Sequence, residues 1–172
     1  MLLVVSKRLV ILRHAKSSWN QPGLSDHERP LNGRGRRAAT RMGRYLRAEG
    51  ITVDLVLCSS ATRTRETLDR LDLAPGPNVR LEDGLYGATA AAWIERLHAV
   101  ADDVGAVLII GHNPGLQDLV DELLAEVSDR DQVAAFPTAA LADLRLPILR
   151  WDALGPGIAQ LDAFVVPRDL DD

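Results

Sequence analysis

The stretch Val107-Leu108-Ile109-Ile110-Gly111-His112-Asn113-Pro114-Gly115-Leu116 decides the fold class. Its first four residues are aliphatic and mostly β-branched, with no polar alternation, which suits a strand buried on both faces. The run stops abruptly at Gly111-His112. Asn113-Pro114 then reads as a helix start, with Asn as cap and Pro as the first helical residue. Apolar residues at Leu116, Leu119, Val120, Leu123, Leu124 and Val127 continue that helix at the right spacing.

Two similar strands lie upstream, Val10-Ile11-Leu12 and Leu55-Val56-Leu57. Between and after them the pattern turns helical. From Gly33 to Glu49, Ala38, Met42, Tyr45 and Leu46 recur at helical spacing, with Asn32 as cap and Gly50 as stop. Further helices are expected over about 61–71 and 90–101, the latter carrying Trp93, Leu97 and Val100. Ala139 to Leu146 and Ile158 to Val166 read as late strands joined across Gly155-Pro156-Gly157. Alternating strands and helices predict an α/β chain, a three-layer α/β/α sandwich whose central sheet is mostly parallel, with room for an antiparallel edge strand. In such sheets ligands sit beyond the carboxyl ends of the strands, so the residues following each apolar run carry the chemistry.

Those residues are Arg13-His14-Ala15-Lys16-Ser17-Ser18-Trp19-Asn20, then Ser59-Ser60-Ala61-Thr62-Arg63-Thr64-Arg65-Glu66-Thr67, then Gly111-His112-Asn113. A shared sheet edge would bring His14, Arg63 and His112 together.

Arg13-His14-Ala15 resembles the Arg-His-Gly signature of the histidine phosphatase superfamily, which includes the cofactor-dependent phosphoglycerate mutases. Arg63 to Thr67 is similar to its second signature, and Gly111-His112-Asn113 to its third. All three stand in the family's order, each after a strand, over nearly the whole chain. Ala15 departs from the usual Gly. With Lys16-Ser17-Ser18-Trp19 and Asp26-His27-Glu28-Arg29-Pro30-Leu31-Asn32 it is similar to the branch grouped with SixA-type phosphohistidine phosphatases. The resemblance implies one domain over residues 1–172 and a phosphatase working through a covalent phosphohistidine on His14. It implies neither cofactor nor metal. The substrate expected is a phosphohistidine-bearing protein, with small phosphorylated metabolites as the alternative. A non-catalytic phosphate-binding protein is a further alternative, though the chain retains the nucleophile and both arginines.

The chemistry fits these residue types. A phosphoryl group in transfer spreads charge over three oxygens, so catalysis needs positioning and positive donors. Arg13 and Arg63 offer planar forks, and His112, where protonated, a third cation. His14 must attack through a bare ring nitrogen, which surrounding cations favour, while its other nitrogen donates to a backbone carbonyl. The general acid is Asp83, placed like the acid preceding a Phe-Gly pair in mutase-like members, or its neighbour Glu82, or neither. Ser17 and Asn20 fall where the family has auxiliary phosphate contacts; a plain turn around Asn20 to Gly23 is the competing reading. Lys16 is of the same rank. His27 and His98 lack the spacing of a metal-ligand set and read as ordinary histidines.

Composition sets the frame. A chain of 172 residues, 47% hydrophobic and 26% charged, suits one soluble domain. A net charge of −4 argues against a surface built for nucleic acid. One cysteine, Cys58, lies in an apolar run, reads as a buried small hydrophobe and suits reducing cytoplasm. The start, Met1 to Arg8, is apolar before it is basic, opposite to a secretory leader, and no run reaches membrane-span length. The end, Arg168 to Asp172, reads as a frayed acidic tail. Arg34, Arg37, Arg41 and Arg44 share one helical face, either solvated or a docking surface for an acidic protein.

Overall fold

The computed structural model describes residues 6–170. The readings of Met1 to Val5 and of the last two residues lie outside it. Six strands form one sheet: β1 (Lys7–Arg13), β2 (Leu55–Ser59), β3 (Asn78–Glu82), β4 (Ala106–Gly111), β5 (Leu141–Leu146) and β6 (Gln160–Val165). The spatial order is β3-β2-β4-β1-β5-β6. Pairings are parallel from β3 through β1 and antiparallel at β1–β5 and β5–β6. This is the expected α/β class.

Among the described residues there are five α-helices: α1 (Gly33–Ala48), α2 (Thr62–Leu71), α3 (Ala90–His98), α4 (Gly115–Leu123) and α5 (Val127–Gln132). Because strand side chains alternate between faces, each central strand feeds two cores. Leu9, Ile11, Leu57, Val107 and Ile109 pack with Trp93 and Leu97 of α3 and Leu116, Leu119 and Leu123 of α4. Val10, Leu12, Val56, Cys58, Leu108 and Ile110 pack with Ala39, Met42 and Leu46 of α1 and Leu71 of α2. Unbroken aliphatic runs were the signature of burial on both faces.

The topology creates the crevice. The chain passes from β1 to β2 and β3, then returns to insert β4 between β2 and β1. The helices after β1 and β2 cover one face, whereas α3 and α4 cover the other. Segments leaving β1 and β4 therefore diverge, and a gap opens at their carboxyl ends. The register pairs Arg13 with Gly111, so His14 and His112 emerge side by side.

Helix α1 follows its sequence signals closely: Asn32 Oδ1 accepts the Gly35 N–H at 2.8 Å, and Gly50 adopts a φ of +63° just beyond the end. Elsewhere the structure corrects the reading. Asn113 does not cap α4; its side-chain amide donates to the Phe136 carbonyl at 3.1 Å, and α4 begins at Gly115 without a side-chain cap. The long helix expected through Val127 is two, because Leu124 turns extended after α4. Strand β3 was not anticipated: Asn78-Val79-Arg80-Leu81-Glu82 is a polar, exposed edge. The tail is docked through Leu170, with a turn over Pro167–Asp169 whose Pro167 carbonyl accepts from Arg41. Among the described residues, no helix is long and apolar enough to cross a membrane.

Candidate active site

His14 stands one residue beyond β1 and is buried at 7% exposure. Its N–H donates to the Gly111 carbonyl, and Ala139 donates back to the carbonyls of Arg13 and His14. The residue is thus fastened to β4 on one side and to the start of β5 on the other. Its ring Nδ1 lies 2.8 Å from the Ala15 carbonyl oxygen. A carbonyl can only accept, so Nδ1 carries the proton and Nε2 presents a lone pair. Arg63 Nε–H points at that lone pair from 3.4 Å.

Arg63 enters from the first turn of α2 and is almost fully buried. Thr67, one turn later, accepts from Ala15 N and donates to the Arg63 carbonyl, coupling the loop after β1 to α2. His112 follows β4, with its ring centroid 5.2 Å from that of His14 and its Nε2 2.8 Å from Ser59 Oγ at the end of β2. Arg13 donates through Nη1 to the Phe136 carbonyl at 2.9 Å. Arg13 Nε and His112 Nδ1 are buried without a hydrogen-bond partner. Buried polar atoms of this kind are costly unless something meets them. Here they lie beside the bare Nε2 of His14 and the Arg63 guanidinium.

Burial, opposed by the Ala15 hydrogen bond and joined by repulsion from His112, Arg63 and Arg13, holds the His14 pKa at about 3. Burial and the Arg63 charge hold His112 at about 4. Both rings are neutral at neutral pH. His112 is therefore a neutral ring here, rather than a standing third cation. Burial first, then Arg63, lowers the Arg13 pKa. Two guanidinium groups held near each other under such repulsion favour an oxyanion between them.

Four further side chains lie at or beside the cluster, and the sequence reading gave none of them a role. Asp26, in a short turn before α1, accepts from Arg63 Nη2 at 3.0 Å and from Tyr86 Oη at 2.5 Å, and its carbonyl accepts from Arg63 Nη1 at 2.6 Å. Tyr86 sits edge-on to His112 at 5.4 Å and to His27 at 4.9 Å. His27, read as an ordinary histidine, places Nε2 2.9 Å from Ser60 Oγ. Arg29 is buried, donates to Ser17 Oγ and lies 3.4 Å over the exposed Trp19 ring. The signal available was the polar run Asp26 to Arg29 between a strand and a helix, and the aromatic in Leu85-Tyr86-Gly87.

The remaining candidates fall outside the cluster. Asp83 is exposed at the start of a short turn. Glu82 is held by Arg96 through two-pronged contacts at 2.8 Å. The carboxylate that does reach the cluster is Asp26, through Arg63 and Tyr86. Its hydrogen bond from Tyr86, then Arg63, lowers its pKa, so it is ionised at neutral pH and has no proton to give. Ser17 is buried against Arg29. Asn20 is exposed in a turn closed by Ser18 Oγ, and Lys16 is exposed. His98 donates to the Leu154 carbonyl and serves the scaffold. Burial pushes the Cys58 thiol up to about 12. Among the described residues, no group of three or more His, Cys, Asp or Glu side chains comes together to hold a metal ion.

A model of the histidine phosphatase superfamily, branch 1, matches residues 9–103, more than half of the chain. This chain belongs to the histidine phosphatase superfamily. It is a phosphatase of that superfamily, and its fold is the family's. An uncharacterized protein of Mycobacterium tuberculosis is 42% identical over 164 residues, covering 91% of this chain and all of the relative. Phosphohistidine phosphatase SixA of Escherichia coli is 28% identical over 145 residues, 81% of this chain and 85% of that protein. A structure from Nakamurella multipartitia, assigned as phosphohistidine phosphatase SixA, superposes with a TM-score of 0.84 at 32% identity, covering 94% of this chain and 96% of that one. The superfamily match ends before His112, whose place in the site rests on geometry.

Proposed function

We propose that this phosphatase removes phosphate from phosphohistidine on proteins, with His14 as the nucleophile. The observation that carries the reading is the bare Nε2 of His14, its tautomer fixed by the Ala15 carbonyl, facing Arg63 beside His112. Nε2 attacks phosphorus, and the substrate imidazole leaves. Arg13, Arg63 and His112 receive the three equatorial oxygens. Water then attacks phosphorus, the P–Nε2 bond breaks, and the water's proton departs with the phosphate, leaving Nε2 with its lone pair.

The substrate preference rests on the leaving group. A phosphomonoester leaves as an alkoxide and needs a proton donor, whereas a phosphoramidate can leave as a neutral imidazole once its nitrogen is protonated. Asp26 is ionised and Glu82 is committed to Arg96, which suits a substrate that needs less acid help. Similarity to the SixA proteins supports the same choice.

The test is kcat/KM on phosphohistidine peptides, phosphoserine peptides and small phosphorylated metabolites, for wild type and His14→Ala. The phosphohistidine peptide should lead the panel, and His14→Ala should lose activity by at least about a thousandfold. Metabolites turned over equally well or better would overturn the substrate assignment; an active His14→Ala variant would overturn the mechanism.

A further inference from the structure

Helix α1 carries arginine at 34, 36, 37, 41, 44 and 47 and no acidic residue over its sixteen positions. The whole chain is acidic by four charges, so this helix is a sharp local inversion of sign. Arg36, Arg37, Arg41, Arg44 and, from α2, Arg70 line a groove of about 540 Å³ together with Gly33 and Thr40. Arg36, Arg37, Arg44 and Arg70 are exposed. The acids of α2 lie outside the groove: Glu66, whose carboxylate also accepts the Leu31 N–H, and Asp69 line a separate hollow against Val79 and Leu81 of β3. The groove's own lining carries five arginines and no acid.

A second basic hollow lies next to the groove, on the side of the loop that follows His14. Arg41 donates to the Pro167 carbonyl, and Pro167 lines this second hollow with Lys16, Arg34 and Arg168. Lys16 lies two residues after His14, and its carbonyl accepts from Asn32 N at the entry to α1. The start of α1 is thus tied directly to the loop that carries His14.

We infer that the α1–α2 groove is a docking surface for an acidic segment of the phosphoprotein substrate. The occupant's chemistry follows from the lining. Guanidinium forks match carboxylates two-pronged. The lining offers no aromatic face on which nucleobases could stack, which favours Glu- and Asp-rich protein over nucleic acid. Elsewhere the chain's negative balance repels such a partner, so the groove orients it as well as holding it. This inference deepens the phosphohistidine-protein reading and takes its substrate from it.

The experiment uses the full chain and a fluorescent Glu-rich peptide without phosphate, measured by anisotropy, so that binding is read without chemistry. Wild type should bind it, with affinity falling steeply by about 0.3 M salt as screening shortens the reach of the charges. Arg37→Glu with Arg44→Glu and Arg70→Glu should weaken binding by at least about tenfold. The Lys triple variant should retain most of it, and a Gln triple variant should lie between. In turnover, the reversal should raise KM for a Glu-flanked phosphohistidine peptide and leave kcat/KM on an aryl phosphate unchanged. Peptide binding unaffected by reversal, aryl phosphate turnover falling in step with the peptide, or equal binding of an oligonucleotide would each overturn the proposal. Failure of the phosphohistidine reading shows instead in the substrate panel, with peptide anisotropy intact.

Discussion

At the scale of single residues, the site is a device for keeping imidazoles neutral where acid would normally charge them. Burial dominates at both His14 and His112, and Arg63 and Arg13 add repulsion at each. NMR titration of the ring protons should show His14 and His112 still neutral at pH 5, with midpoints at about 3 and 4. A midpoint near 6 for His14 would mean that its ring is open to water and that the caged-nucleophile argument is wrong. The four residues at the heart of the cluster were legible because each ends, follows or opens an element at a strand's carboxyl end: Arg13, His14, Arg63 and His112. Asp26, His27 and Tyr86 were not. They reach in from short turns, and a turn's direction depends on tertiary packing that no periodicity encodes.

At the scale of elements, α1 is held by two glycines on its buried face. A Cβ at Gly35 would overlap the Lys16 backbone, and one at Gly43 would overlap the Leu71 carbonyl. The obstacles are backbone, so neither can swing aside. Gly35→Ala or Gly43→Ala should therefore cost about 2–4 kcal/mol despite Ala's better helix propensity. Gly155→Ala, facing open space, should stay within about 0.5 kcal/mol. Urea unfolding measures all three, and a stabilised Gly43→Ala would show that α1 and α2 approach less closely than described. Element reading from sequence succeeded where amphipathic spacing and caps agreed, as in α1 with Asn32 and Gly50. It failed for β3, whose Val79 and Leu81 are exposed on an edge, because an edge strand lacks the buried run that marks β1 and β4. It also failed at Asn113, where the cap signal was real chemistry directed at another partner, the Phe136 carbonyl.

At the scale of the whole molecule, the two depressed histidines tie stability to pH. Unfolded imidazoles take up protons below about 6.5, while the folded ones refuse them until about 4 and 3. The unfolded chain then binds more protons, so stability is full above 6.5 and falls as pH drops towards 4. The slope should reach about 1 to 3 kcal/mol per pH unit. Asp26, whose carboxyl is also lowered, adds a smaller loss further down, screened by its half-exposed position. Replacing both histidines with Gln should flatten the acid limb of a denaturation series, and an unchanged limb would assign the loss to other groups. Cys58 has a consequence of a different order. The molecule's sole sulfhydryl is sealed beneath the sheet at a pKa of about 12, and the proposed nucleophile is nitrogen. Peroxide and alkylating reagents thus find no thiolate to disable, so this phosphatase would keep working through oxidative bursts that silence enzymes built on reactive cysteine.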